Sequence, residues 1–338
     1  MAVMRILAPG LFTTIQDLGR PGYAALGISA CGAADPVALR IGNRLVGNPE
    51  TAPALEMTLM GAAVEFTAPG WLALAGAACE ASRENPQRGD EAPVPMWTAV
   101  PVAAGEVLRC RAVRDGARTY LCVGGGVDVP LVLGSASTHT RSSLGGLHGR
   151  ALRAGDELPL ADAHLPPPRR GRAAPATLAR LYPLSPLRVL RITTGPQQDF
   201  FNEDALATLG TAAYTVSARS DRMGVRLSGP AIIRATANAG PSTAAAASAA
   251  LYGELLSQGV PFGAVQIPAD GQPILLSVDQ QTTGGYPVVA GVIAADLWRI
   301  GQLRPADRVR LAWVSLAEAD ALLREQEELL TSPTLVVA

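Results

Sequence analysis

Residues 262–305 read FGAVQIPADGQPILLSVDQQTTGGYPVVAGVIAADLWRIGQLRP. Two strongly apolar runs, PILLSV and PVVAGV, enclose a short polar one. Brief runs rich in Val, Ile and Leu, bounded by turn residues, read as strands. The polar run holds Asp279, Gln280, Gln281, Thr282 and Thr283, and the turn Gly284-Gly285-Tyr286-Pro287 follows it. It thus carries a carboxylate, two amides, two hydroxyls and a phenol within eight residues. A turn needs less hydrogen-bonding capacity than this, so the stretch is the first candidate site.

The same reading extends outward. The 35 Gly and 27 Pro among 338 residues exceed the ordinary share of about 12% and imply many turns and few long helices. With 48% hydrophobic and 17% charged residues the chain is globular in composition, and it is long enough for one large domain or two ordinary ones. A mainly β fold is expected. ALEMTL, AAVEF, WLALAG, EVLRCRAV and RTYLCVGG are successive strands of a meander or barrel. Within CGAADPVALRIGNRLVGNPE, Asp35 as N-cap and Pro36 behind it predict a helix that stops at Gly47. The run at 161–186, with its triple proline, cannot sit inside a sheet. It divides the chain into a first half over 1–165, a linker at 166–186, a second half over 187–315, and a closing helix with a frayed tail at 316–338. A short helix is expected near 199–209, and an Ala-rich stretch runs over 231–250.

Several function classes drop out. A formal net charge of −1 lacks the electrostatic footprint of a nucleic-acid binder. No apolar run reaches the roughly 18 residues of a membrane span, and the N-terminus lacks a signal-peptide pattern, so a cytoplasmic protein is expected. The sequence contains no lysine. That excludes a Walker A lysine, a Schiff-base lysine and a biotin-bearing lysine on this chain. Cys31, Cys79, Cys110 and Cys122 show no CxxC spacing, and Cys110 and Cys122 fit buried strand positions. His139, His148 and His164 are scattered, so no metal site is expected.

Three further clusters stand out in a chain otherwise poor in charge. Gln16, Asp17 and Arg20 lie between glycines in FTTIQDLGRPGY; arginine reads a carboxylate or phosphate bidentately, and an Asp17–Arg20 pair bracing a turn is the alternative. Asp221 and Arg222 in SDRMGVRLSG suit a charged loop, the alternative being a local salt bridge in a hairpin. Arg141 follows the triple glycine Gly124–Gly126, a weak phosphate-loop signal without a following helix. Asp279 should emerge at a strand end, where a carboxylate can do acid–base work; an Asx turn braced by Thr282 and Tyr286 is the alternative.

TTIQDLGRPGY, LEMTLMGA, GGGVDVP, SDRMGVRL and VQIPADGQPILLSVDQQTTGGYPVVA, in this order, resemble the biotin-dependent carboxyltransferase family. That family includes the C component of 5-oxoprolinase, PxpC, and the second carboxyltransferase segment of urea carboxylase. The resemblance implies tandem cyclophilin-like β-barrels. It also implies a role in ATP-dependent opening of 5-oxoproline to glutamate beside PxpA- and PxpB-like subunits. ATP is then bound in the complex and shared with a partner, and no biotin is attached to this chain. Asp279, Arg222 and Asp221 are the implied catalytic residues. Substrate contacts fall to Gln16, Asp17, Arg20, Arg141, Gln266, Thr282, Thr283, Gly284, Gly285 and Tyr286. Val288 departs from a basic residue common in the family and is expected to remove a cation beside Tyr286. The rivals are a carboxyltransferase component of a urea- or guanidine-type carboxylase, and a regulatory partner of a kinase inhibitor.

Overall fold

A computed structural model describes residues 2–85, 89–161, 171–183, 187–234 and 255–337. They fall into two units, the first formed by 1–20, 31–184 and 327–338 and the second by 21–30 and 185–326.

In the first unit, β1 (Val3–Ala8), β2 (Phe12–Gln16), β3 (Ala54–Thr58), β4 (Ala63–Phe66), β5 (Gly70–Asn85), β6 (Asp90–Pro93), β7 (Ala99–Val102), β8 (Val107–Val123) and β9 (Glu157–Pro159) form one nine-stranded sheet. Its path is β2-β3-β8-β4-β1-β9, and β5 pairs with β6, β7 and β8. The two strands expected at 106–113 and 118–125 are one 17-residue strand, β8. It passes through Asp115 at φ 55° without breaking, because the 16-residue β5 pairs with both of its halves. Register shifts at Gly76/Ala78 and Cys79/Ala81 bend this pair. One half of β8 therefore meets β3 and the other meets β4.

Alternating side chains such as Met4 and Ile6, Val64 and Phe66, Leu72 and Leu74 fill the core of the sheet. Each fully buried side chain of this size contributes about 1.5–3 kcal/mol. Helix α1 (Pro36–Leu45) forms as expected, with the Asp35 carboxylate accepting from Ala38 N at 2.9 Å. It lies close on the sheet because Gly42 has no Cβ; one added there would stand 2.6 Å from Cys122 Sγ.

Of the expected linker, residues 171–183 are described. They carry a two-residue strand, β10 (Arg172–Ala173), and helix α2 (Pro175–Leu181). The tail expected to fray is ordered instead. Val336–Val337 pairs with β10, Leu335 is fully buried, and Ser332 Oγ caps Thr334 N at 3.1 Å.

The second unit contains β11 (Leu187–Thr194), β12 (Ala213–Val216), β13 (Gly224–Ser228), β14 (Gln258–Gly259), β15 (Ala264–Gln266), β16 (Ile274–Leu276), β17 (Thr283–Gly284), β18 (Val288–Val292) and β19 (Arg308–Trp313). Seven of them close a barrel in the order β11-β18-β15-β16-β13-β12-β19, with β11 and β19 parallel. Leu190, Tyr214, Leu227, Val265, Leu275 and Leu311 are among its buried residues. Helix α3 (Glu203–Thr211), capped by Asn202, packs on β19, where Gly210 admits the Trp313 ring. A short helix α4 (Leu297–Ile300) and a closing helix α5 (Leu316–Thr331) flank β19 in sequence. Asp296, fully buried, is held by Arg191 and Arg299 through bonds of 2.6–2.9 Å.

The mainly β fold read from the sequence is thus the fold found, with one barrel closed and the other sheet curled by its bulges. The Ala-rich stretch lies, from residue 235 on, outside the described residues. Among the described residues, no helix is long and apolar enough to cross a membrane.

Candidate functional site

In the second unit, the antiparallel pairing of β13 with β16 sets Gly224 opposite Leu276. The pairing continues past the strand ends, with Ser277 N bonded to Met223 O and Asp279 N to Arg222 O, each at 2.9 Å. This register brings the two side chains together. Arg222 Nε lies 2.7 Å from Asp279 Oδ2 and Nη2 lies 3.0 Å from Oδ1. Both residues are buried. Asp221 is exposed and serves the loop instead, its Oδ1 accepting from Met223 N at 2.8 Å and Gly224 N at 3.1 Å. The carboxylate partner of Arg222 is therefore distant Asp279 and not its neighbour.

Gln266 lies on the outer face of the same barrel, opposite Ile274 and Val288, with 1% exposure. Its Nε2 faces the Tyr286 carbonyl at 3.5 Å. The Gly-Gly-Tyr-Pro run is fastened by its backbone. Val260 N bonds Thr282 O at 3.0 Å, Leu255 N bonds Gly285 O at 2.8 Å, and Ile267 N bonds Pro287 O at 3.0 Å. Gly284 is a close approach, since a Cβ there would stand 2.8 Å from Gln266 Nε2. Thr283 is exposed, while Thr282 and Tyr286 are half-buried.

Val288 is buried with Val260, Ala264 and Leu276, and its N–H donates to Gln197 Oε1 at 2.9 Å. Alternation along β18 turns the side chain into that apolar cluster. Ser29, which the sequence did not single out, donates from Oγ to Val278 O at 2.8 Å, one residue before Asp279.

In the first unit, Gln16 ends β2 and Asp17 follows it. The Asp17 carboxylate accepts from Ser135 Oγ at 2.6 Å, Ser137 Oγ at 2.5 Å, Ala136 N at 2.6 Å and Gly19 N at 2.7 Å. Arg20 is 1% exposed and bonds the carbonyls of Val132, at 3.2 Å from Nε, and Ser137. Asp17 and Arg20 thus do not form a direct pair; they grip one loop, residues 132–137, from its two polar sides. Arg20 Nη1 is buried and has no hydrogen-bond partner. Gln16 Nε2 donates to Thr14 Oγ1 at 2.9 Å and Thr138 O at 3.0 Å. Arg141 is exposed. The serines of this loop went unnoticed in the sequence because only the fold brings them to Asp17.

A second buried network lies in the same unit. Tyr120 OH donates to Glu56 at 2.6 Å and accepts from Asp35 N at 2.8 Å, while Tyr182 OH donates to the Asp35 carboxylate at 2.5 Å. Burial, reinforced by the Glu56 and Asp35 charges, pushes the Tyr120 phenol well above its usual range. The network joins the start of α1 to the segment after α2.

The triple glycine does not fit a nucleotide phosphate. Gly124 N bonds Trp71 O at 2.9 Å, Gly125 N bonds Asn48 Oδ1 at 2.8 Å, and Gly126 N bonds Val123 O at 2.9 Å, so its donors are spent inside the fold. Among the described residues, no cluster of His, Cys, Asp and Glu is placed to hold a metal ion.

A family model described as "Carboxyltransferase domain, subdomain A and B" matches residues 26–313. The chain is 39% identical over 327 residues to the C component of 5-oxoprolinase from Escherichia coli K12, covering 96% of each protein. It is 38% identical to the same component from Haemophilus influenzae, covering 93% of this chain and 92% of that one. The crystal structure of the K. lactis urea amidolyase superposes with a TM-score of 0.86 at 29% identity; the match covers 99% of this chain but 21% of the amidolyase.

Proposed function

Since the chain belongs to the carboxyltransferase domain family, subdomains A and B, we propose that it serves as the C component of an ATP-dependent 5-oxoprolinase, cleaving 5-oxo-L-proline to L-glutamate within a multi-subunit complex. The observation that carries this reading is one of identity. The chain is 39% and 38% identical to the two 5-oxoprolinase components, against 29% to the amidolyase. PxpA- and PxpB-like subunits are the proposed partners, and the complex is cytoplasmic. ATP is bound in the complex and shared with a partner; on this chain the N–H groups of Gly124–Gly126 are already bonded inside the fold.

The roles proposed for this chain's residues follow from their chemistry. Arg222, fixed in plane by Asp279, is preorganised to face a developing oxyanion or the substrate carboxylate. Gln266, Thr282, Thr283 and Tyr286, above the fastened Gly284–Gly285 backbone, supply neutral groups suited to an amide. In the other unit, Gln16, Asp17 and Arg20 organise a polar loop and Arg141 stands at the surface as a further anion contact. Opening the lactam breaks its C–N bond, adds water across it and leaves the amine and carboxylate of glutamate.

The test is co-expression with the partner subunits, co-purification, and measurement of 5-oxoproline-dependent ATP hydrolysis with glutamate release. An assembled complex without that activity, beside an active reference complex, sinks the proposal. The likeness to urea amidolyase favours a second reading, carboxyl transfer from biotin carried on another chain to a urea-like amide. Carboxylation of urea by added carboxybiotin, with no response to 5-oxoproline, is the result that selects it.

A further inference from the structure

Residues 193–201 read TTGPQQDFF, a polar run to which nothing above gives a role. Its place in the barrel of the second unit supplies one. Strand β11 ends at Thr194, which lies opposite Ala290 of β18. Pro196 has no N–H to donate, so a backbone ladder cannot continue past this point. Two residues of β18, Val289 and Val288, remain between Ala290 and the 284–287 turn, and both are buried. The strand is also bulged here. Its pairing with β15 passes from Val265–Ala290 directly to Gln266–Val288, which leaves Val289 unmatched.

The turn at 195–197 supplies the partners that the ladder lacks. Gly195 N donates to Val289 O at 3.0 Å, and Gln197 N donates to Val288 O at 3.1 Å. The Gln197 side chain completes the set, its Oε1 accepting from Val288 N at 2.9 Å. An N–H can only donate, so the Gln197 amide is fixed with its oxygen toward Val288. The turn comes this near because Gly195 has no Cβ. One added there would stand 2.4 Å from Val288 O and 2.6 Å from Ala290 N. Phe200 and Phe201, buried in the barrel core, hold the other end of the run.

We propose that Gln197 is a positioning residue for the substrate contacts at Gln266 and Gly284–Tyr286. This rests on the reading of those groups as the 5-oxoproline site. Val288 is the residue that follows the Gly284-Gly285-Tyr286-Pro287 run, and it lies opposite Gln266 on β15. Fixing Val288 from the β11 side therefore fixes the root of the turn and its register against Gln266. Without the side-chain oxygen, the buried Val288 N–H loses its acceptor and the strand end is released. Arg222 and Asp279 are held separately, by the pairing of β13 with β16, and keep their geometry. Gln197 thus governs substrate affinity and leaves the chemical step alone.

The test uses the complex co-expressed with its partner subunits. Gln197→Met keeps the side chain's length and removes its oxygen, while Gln197→Glu keeps an acceptor for Val288 N–H. For Gln197→Met, the KM for 5-oxoproline is expected to rise about tenfold with kcat little changed. Hydrogen exchange at Val288 should quicken with it, and Gln197→Glu should restore both. Gly195→Ala pushes the turn off β18 with Gln197 intact, and is expected to match the Met variant even if that variant fails to assemble. Quickened exchange at Val288 with an unchanged KM would make the clamp purely structural and overturn the inference. Slow exchange with a raised KM in Gln197→Glu would also overturn it, since Gln197 would then touch the substrate itself. An unaltered complex that assembles but turns over no 5-oxoproline sinks the enzyme reading, and the inference with it.

Discussion

Both oxygens of Asp279 hold Arg222, at 2.7 Å and 3.0 Å, across 57 residues of chain. Removing one partner of a buried pair leaves an uncompensated charge and costs about 3–5 kcal/mol, while replacing both by apolar residues is nearly neutral. Asp279→Ala is therefore expected to lose stability of that order in urea denaturation, and Asp279→Leu with Arg222→Met to regain most of it. Stability and activity then separate. The double variant is expected to assemble with its partners and hydrolyse no 5-oxoproline, as is Asp279→Asn. Full turnover by either assembled variant would show that the pair is only structural.

Asp17 tests the other unit. Its carboxylate accepts four hydrogen bonds, two of them from backbone N–H groups, at a site with 7% exposure. Alanine there strands buried donors at about 1–3 kcal/mol each, so Asp17→Ala is expected to cost about 3–5 kcal/mol in total. Hydrogen exchange should rise at 135–138 before other parts of β2 and its neighbours respond. Uniform exchange across the sheet would contradict a role confined to the loop.

Gly284→Ala addresses the proposed amide site without touching a charge. The new methyl meets the far end of Gln266, 2.8 Å away, and Gln266 at 1% exposure has little room to retreat. A volume change of this kind costs about 1–3 kcal/mol or is absorbed by moving the side chain. The expected result is a KM for 5-oxoproline raised several-fold with kcat little changed. An unchanged KM would remove Gln266 from the substrate contacts.

The acid limb of stability should include Asp156. Two hydrogen bonds from Arg150, at 2.8 Å each, and one from Arg153 N hold its carboxyl below the ordinary 3.8. A carboxylate with a depressed pKa in the folded state contributes stability above its unfolded pKa. That contribution is lost as pH falls through the folded value. Melting curves taken from neutral into acid pH are expected to converge for the unaltered chain and Asp156→Asn as pH falls through the lowered Asp156 value. A gap between them that stays constant with pH would assign the effect to packing.

Much of the fold is legible because it is written locally. Asp35 starts α1 by accepting from a donor that the first helical turn leaves unpaired, Pro36 brings no N–H to that turn, and β16 follows from an apolar run between turns. The joining of 107–123 into one strand was not legible, since Asp115-Gly116 reads as a turn in isolation. Only pairing with β5 carries the chain through it. The ordered tail escaped for the same reason: two residues pair with β10, more than 160 positions away.

The stretch over 262–305 determined by itself a β fold and a concentration of polar groups at the end of one strand. Tertiary structure alone decided what those groups do to each other. It gave Asp279 to Arg222, left Asp221 to a turn, closed Gly284 onto Gln266 and turned Val288 into an apolar cluster. Side-chain period, caps and turns act over a few residues and leave their mark in sequence. Strand register acts between residues far apart, and a shift of one position would send each of these side chains to the opposite face.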